Sequence, residues 1–417
     1  MTGPVAPVHL LDRVVIVGAS LAGLRAAETL RQHDDVGSVV VVGDERHRPY
    51  DRPPLSKKLL SGEWGPERIQ LRQPDVFDDL DVDWQLGTAA TGLDLVRRVV
   101  DLADGSDVPF DSLVVATGAR PRRLPGHDDF DHVHELRSLD DAMVLREEIA
   151  RGNRNVVVIG AGFIGLEVAA TAKELGNAVV VLEGATAPLI RGLGREMGEA
   201  IAGLHRARGV DVRCDVRIDA MTPTGVRLAD GSEVPADVIV VGIGVSPATE
   251  WLEGSGVALR DGVVCDEDLN VVDRDGAPVP GVFAAGDVAR WPNALLGEEM
   301  RVEHWTNAAE QGAHAANNLV RAANGRPLEP YAPLPFFWSD QYDHRIQFLG
   351  HASADDEVRI VAGSIADEKF LTLYGRHGRL HGALGVNAPR WVMPTRKLFL
   401  DRATWDEALA STEGLDA

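Results

Sequence analysis

The sequence predicts an α/β fold: two doubly wound domains followed by a small α+β domain. Three observations carry this. An apolar run, a glycine-rich turn and a helix-period segment occur together at residues 13–31 (RVVIVGASLAGLRAAETLR) and again at 155–175 (NVVVIGAGFIGLEVAATAKEL). Each is followed by a second apolar run, VVVV at 39–42 and VVVL at 179–182, which completes a β-turn-α-β opening. Beyond Gly325 the texture changes. Pro327, Pro330, Pro333 and Pro335 mark a linker, and alternating segments (IQFLGHA, VRIVAGS, KFLTLYG, RLHGALGV) give way to a helical pattern from Thr395.

Bulk properties set the frame. At about 100–200 residues per domain, 417 residues suggest two to four domains. With 45% hydrophobic and 25% charged residues the chain can bury ordinary cores. Lys and Arg total 42 and Asp and Glu 64, a formal charge of −22. That argues against nucleic acid and against an anionic membrane surface as partners. Two cysteines, Cys214 and Cys265, leave no disulfide framework, no Cys-x-x-Cys redox pair and no multi-cysteine metal site. Cys214 lies in the alternating stretch 210–218 and reads as a strand residue. The first twelve residues lack a basic start followed by an apolar run, and no apolar stretch approaches about 20 residues, so a soluble cytoplasmic protein is expected.

Other strands end in informative turns. LVVATGA at 113–119 closes the first β-turn-α-β unit and DVIVVGIGVSP at 237–247 the second. GVFAAGD at 281–287 is a further strand with a glycine turn, followed by the helix-period segment 305–323.

In the first turn Gly18, Ser20 and Gly23 fill the three glycine positions of a dinucleotide fingerprint. The first permits the tight turn, the second lets backbone approach a pyrophosphate, and the third allows close helix–strand packing. The helix N-terminus then presents free N–H groups and a positive dipole end to phosphate. Ser20, small but not glycine, makes the fingerprint imperfect. Asp44 and Glu45 follow the second strand, 26 and 27 residues after Gly18; one of them, Asp44 by preference, takes the ribose hydroxyls. The turn after VVAT and the Gly286–Asp287 pair are what an FAD domain of the glutathione-reductase type needs, with Asp287 accepting from a ribityl hydroxyl.

In the second turn Gly160, Gly162 and Gly165 match the fingerprint fully, and Glu183 follows 23 residues after Gly160. A carboxylate there accepts from a free 2′-hydroxyl and repels a 2′-phosphate. Gly184, Ala185 and Thr186 come next, with no adjacent arginine, so NADH is expected over NADPH. Two redox nucleotides imply hydride transfer from nicotinamide to flavin. With no cysteine pair to receive them, electrons leave the flavin directly or through aromatic contacts.

PYDRPPLSK at 49–57, GFIGLEVAATA at 162–172 and PFFWSDQY at 335–342 resemble the NADH-dependent ferredoxin reductases that serve bacterial oxygenases, within the glutathione-reductase-like superfamily. The resemblance runs from about Arg13 into the C-terminal domain. It implies two Rossmann-like domains: FAD on residues 12–118 and 250–328, NADH on 119–249, and an α+β domain over 329–417. It also implies roles. Lys57 lies by the flavin's reactive nitrogen, and Glu167, in the first helical turn after the second fingerprint, pairs with it. A lysine there stabilises reduced, anionic flavin. Trp305, in EHWTNAAEQG, lies against the flavin ring, and Trp338 is a candidate on the electron exit path. FAD contacts are implied at Gly18, Ser20, Ala22, Gly23, Asp44, Arg52, Lys57, Ala90, Thr117, Gly118, Arg137, Gly286, Asp287 and Trp305. NAD contacts are implied at Gly160, Gly162, Ile164, Gly165, Glu167, Glu183 and Gly242, and no metal is implied.

The implied partner is a small 2Fe–2S ferredoxin, which feeds a cytochrome P-450 or Rieske oxygenase, with the reductase a monomer or homodimer. Arg390, Arg396, Lys397 and Arg402 form the densest basic cluster and are offered as its docking face. Ala248 stands where many relatives have asparagine. Two rival readings fit the same motifs. One is an NADH oxidase or rubredoxin reductase, disfavoured by the cysteines and the FWSDQY stretch. The other is a flavoprotein like apoptosis-inducing factor, disfavoured by the charge of −22.

Overall fold

A computed structural model describes residues 10–415. The reading of the first twelve residues therefore lies largely outside the described residues. The chain divides into two compact units. The first comprises the described residues up to Asp51, with Gln70–Arg120 and Ser246–Pro333; the second comprises Arg52–Ile69, Pro121–Val245 and the chain from Leu334 onward.

The first unit is built on a six-stranded sheet. Arg13–Val17 lies at its centre, parallel to Ser38–Gly43 on one side and Ser112–Val115 on the other, with Ile16 opposite Val41 and Val114. Asp83–Leu86 extends one edge, while Pro278–Ala284 and then the antiparallel Asn270–Val272 extend the other. Val14 to Val17 are buried along their whole length. A parallel strand covered on both faces gives just this unbroken apolar run rather than alternation. The helices Leu21–Leu30 and Trp305–Ala323 share the core through Ala26, Ala27, Leu30, Ala315, Ala316 and Leu319. They approach so closely that a Cβ on Gly312 would sit 2.2 Å from the Ala22 carbonyl oxygen. The proline-marked linker is not a loose tether. Tyr331 donates to Asn307 Oδ1 at 3.1 Å, its carbonyl accepts from Trp291 Nε1, and Asn318 brackets Glu329 from both its amide atoms.

The second unit contains a five-stranded parallel sheet ordered 211–213, 178–182, 155–159, 238–241, 133–134, with Val157 opposite Val180 and Ile239. Its C-terminal part is a five-stranded antiparallel sheet ordered Phe336–Gln341, His344–Gly350, Arg379–Val386, Lys369–Arg376, Glu357–Ser364. The two sheets share a hydrophobic core. Leu193, Met197 and Ile201 of Ile190–Ala207, a helical segment kinked at Gly194 (φ +76°), cluster with Ile346, Phe348, Phe370, Tyr374 and Leu384. Tyr374 also donates to the Leu193 carbonyl at 3.0 Å.

These elements are the α/β architecture expected from the sequence. One local expectation is corrected. Cys214 is not a strand residue: the strand ends at Arg213, and Cys214 sits half-buried in the turn after it. Among the described residues no helix is long and apolar enough to cross a membrane.

Candidate active site

The first glycine turn follows directly from the central strand. Gly18 has φ +124°, and a Cβ there would lie 2.0 Å from the Ala116 carbonyl oxygen, so only glycine fits between the two strands. Gly23 packs its helix against the turn, where a Cβ would meet the Gly18 oxygen at 1.9 Å. Ser20 is the N-cap of Leu21–Leu30, in an extended conformation, and Ala22 is buried in the first turn. The first N–H groups of a helix lack partners within it, which makes this end suited to phosphate.

Around that turn the same unit gathers more of the sequence-derived residues. Asp44 immediately follows Ser38–Gly43 and is exposed, with a loose contact of 3.9 Å to Arg120. Glu45, the alternative, is engaged by the Tyr50 hydroxyl. Thr117 Oγ1 donates to the Ala248 carbonyl at 2.8 Å, and the Ala248 N–H donates to the Gly118 carbonyl at 3.0 Å. Ala248 takes part in both bonds through its backbone, so alanine at 248 holds the turn. Ala90 opens the strand Ala90–Asp94. Gly286, at φ +79°, donates its N–H to Gln311 Oε1 at 2.8 Å, and the Asp287 carbonyl accepts from Arg301 at 2.9 Å. Trp305 begins its helix as an exposed residue, and its Nε1–H donates to Asp51 Oδ1 at 2.7 Å.

The second glycine turn repeats the design. Gly160 has φ +100°, and a Cβ there would lie 2.3 Å from the Gly242 carbonyl oxygen; one on Gly165 would lie 2.2 Å from the Gly160 oxygen. Gly162 differs. Its φ is −75°, and a Cβ would meet no atom within 4 Å. The fold itself does not need glycine there, but open space at that position is what close approach of a pyrophosphate requires. Ile164, in the first turn of the helix Phe163–Glu174, is 49% exposed. Glu183 folds back across the turn: Oε2 accepts from the Ala161 N–H at 2.6 Å and Oε1 from the Ala185 N–H at 2.8 Å. The structure does bring an arginine to Glu183, through the main-chain bond from its N–H to the Arg213 carbonyl. The Arg213 guanidinium, however, is held by Asp211 at 2.6 Å.

Glu167 is corrected in position. It lies one residue beyond the first turn of its helix, because 3.6 residues per turn place residues 163–166 in that turn. It is buried, 3% exposed. Lys57 follows the single 3-10 turn Pro53–Ser56, and its Nζ lies 2.6 Å from Glu167 Oε2 and donates to the Pro53 carbonyl at 3.1 Å. Two residues not singled out from the sequence complete the site. Ser56 Oγ donates to Glu167 Oε2 and Ser339 Oγ to Oε1, both at 2.5 Å. A buried carboxylate is tolerable only when its charge is paired and its lone pairs are used, and here both conditions are met.

Arg52 donates to the Arg137 carbonyl at 2.5 Å, next to the capping box by which Ser138 and Asp141 start the helix Leu139–Ile149. Trp338 is not brought to the Lys57–Glu167 pair. Strand alternation puts Phe337, Ser339 and Gln341 on one face of Phe336–Gln341, toward Phe163, Glu167 and His205; Trp338 lies on the other, stacked on Phe336 with ring centroids 6.1 Å apart.

Residues 12–312 match the family described as pyridine nucleotide-disulphide oxidoreductase. The chain belongs to that family. Residues 336–416 match the reductase C-terminal domain. Within the pyridine nucleotide-disulphide oxidoreductases the chain is 38% identical over 398 residues to the ferredoxin–NAD(+) reductase component of the anthranilate 1,2-dioxygenase system of Burkholderia cepacia, covering 93% of this chain and 94% of that protein. It is 34% identical to putidaredoxin reductase of Pseudomonas putida, covering 97% and 95%. The structure of a covalent putidaredoxin reductase–putidaredoxin complex matches with a TM-score of 0.86 at 32% identity, covering 97% of this chain and 99% of that one. The family's name refers to a disulphide, yet both cysteines here are free. Burial raises the pKa of both thiols above the ordinary cysteine value.

Proposed function

We propose that this protein is an NADH-dependent ferredoxin reductase, which passes electrons from NADH singly to a small 2Fe–2S ferredoxin serving an oxygenase. The observation that carries this reading is the Lys57–Glu167 pair, with Glu167 buried, in a chain without a cysteine pair, set in a sequence similar over more than nine-tenths of its length to ferredoxin reductases. FAD, when bound, supplies a two-electron acceptor for the nicotinamide hydride and a one-electron donor to an iron–sulfur centre.

The residues fit that assignment. The Gly18 turn with Ser20 and Ala22, and Asp44, Ala90, Thr117, Gly118, Gly286, Asp287 and Trp305, would hold FAD. The Gly160 turn with the open position at Gly162, and Ile164, Gly242 and Glu183, would hold NADH. Glu183 selects against a 2′-phosphate by charge. Glu167 fixes the Lys57 ammonium, and Lys57 supplies positive charge where negative charge develops. Trp338 remains a candidate on the outward electron path. The exposed residues Arg390, Arg396, Lys397 and Arg402, with Met393 and Leu400 exposed among them, form the face proposed for an acidic ferredoxin.

The test is turnover of the holoenzyme with NADH and a 2Fe–2S ferredoxin against oxygen as sole acceptor. Ferredoxin reduction is expected to be much the faster. Equal rates with the two acceptors would overturn the assignment.

A further inference from the structure

Behind Glu167 runs a hydrogen-bonded chain that the proposed reaction does not itself require. Ser339 Oγ donates to Glu167 Oε1. Gln341 Nε2 lies 3.1 Å from Ser339 Oγ, Gln341 Oε1 lies 2.8 Å from His205 Nε2, and the Tyr342 hydroxyl lies 3.2 Å from His205 Nδ1. Ser339, Gln341 and His205 are all buried. Tyr342 closes the chain from the hairpin turn, in the left-handed region at φ +54°, with the Arg208 guanidinium over its ring at 4.8 Å. A non-glycine residue adopts that conformation at a cost, which marks the turn as held in place.

The direction of every bond is fixed from one end. An ionised carboxylate only accepts, so Ser339 spends its single proton on Glu167. Ser339 must then accept from the Gln341 amide nitrogen, which turns the Gln341 oxygen toward His205. His205 therefore carries its proton on Nε2, leaving Nδ1 bare to accept from Tyr342. All four bonds point the same way, and donors aligned in series reinforce one another. The neutral ring this needs agrees with the burial that lowers the His205 pKa to about 4. An amide in mid-chain passes no proton without becoming an imidic acid, so the chain orients rather than conducts.

We infer that Ser339, Gln341 and His205 are positioning residues that lock the Glu167 carboxylate, and through it Lys57, in the orientation used during flavin reduction. This rests on the proposed role of the Lys57–Glu167 pair.

The test uses stopped-flow reduction of the holoenzyme by NADH together with nitrogen-15 NMR of the His205 ring, assigned with H205Q. Wild-type His205 is expected as the neutral Nε2–H tautomer at pH 7; the Nδ1–H tautomer or an imidazolium would overturn the chain. S339A is expected to slow flavin reduction at saturating NADH about tenfold, the scale of one hydrogen bond to a charged group, with the NADH dissociation constant within about twofold of wild type. Q341M, which keeps volume, should act in the same direction. In an E167Q background S339A should cause no further loss. A wild-type rate in S339A, or an undiminished loss in the E167Q background, would overturn the inference. If E167Q itself reduces at the wild-type rate, the role of the pair fails instead.

Discussion

Glu183 closes the second glycine turn, its Oε2 accepting from the Ala161 N–H at 2.6 Å while Oε1 accepts from Ala185. The carboxylate is thereby fixed at the end of Ala178–Leu182 with lone pairs to spare. Glu183→Ala is expected to raise the NADH dissociation constant about tenfold and to reduce the discrimination against NADPH. Steady-state kcat/KM for both coenzymes measures this; a wild-type that prefers NADPH would refute the role.

The glycines of that turn should separate folding from binding. Gly160→Ala forces a Cβ to 2.3 Å from the Gly242 oxygen at positive φ, and a loss of about 2–4 kcal/mol in unfolding free energy is expected. Gly162→Ala meets nothing in the protein. It should melt like the wild type yet bind NADH weakly. Denaturation and coenzyme titration of the two variants distinguish these outcomes.

Breaking the Lys57–Glu167 pair from the Glu167 side removes the main counter-charge of a lysine whose side chain is only 18% exposed. Glu167→Leu is expected to destabilise the protein by about 3–5 kcal/mol, whereas the double variant K57M/E167L, with no charge left unpaired, loses less. Urea unfolding checks this. If the single variant is as stable as the double, the pair carries no such tension.

Burial, reinforced by the nearby Arg208 charge, lowers the His205 pKa to about 4, against the opposing effect of the Gln341 hydrogen bond. The unfolded chain binds a proton on this residue near pH 6.5 and the folded chain resists it until about 4, so stability attributable to His205 is lost as pH falls through that window. Wild type should lose more stability than His205→Gln between pH 7 and 4.5. Parallel slopes of melting temperature against pH would remove His205 from the account.

On the proposed ferredoxin face, Lys397 is paired with Asp401 one turn away. Arg390→Glu and Arg396→Glu should therefore raise KM for ferredoxin more than Lys397→Glu does, with kcat held and the salt dependence flattened. Rates measured over a range of ionic strength decide it; an unchanged salt slope would exclude this face.

Much of the fold was legible because its signals are local. Both glycine turns follow apolar runs, the helix Trp305–Ala323 occupies the predicted 305–323, and the four alternating segments after the linker became strands of one sheet. The site was legible only at its charged ends. Ser56 and Ser339 lie inside the quoted PYDRPPLSK and PFFWSDQY stretches, but serine carries no periodicity, and they reach Glu167 from 111 and 172 residues away in the chain. Glu167 was singled out only by the resemblance, since no local pattern signals its burial. Nor did any local pattern reveal that Arg52–Ile69 leaves the first unit to join the second.

That crossing has a practical meaning. The backbone passes from one unit to the other after Asp51, Ile69, Arg120, Val245 and Pro333, so neither unit is a contiguous stretch of the gene. The C-terminal sheet cannot be treated as a removable cassette: cutting the chain at Pro333 would strip Ile346, Phe348 and Tyr374 from a core they share with Leu193 and Met197. Exchange of whole segments between relatives is expected to succeed only where both sides of that core are exchanged together.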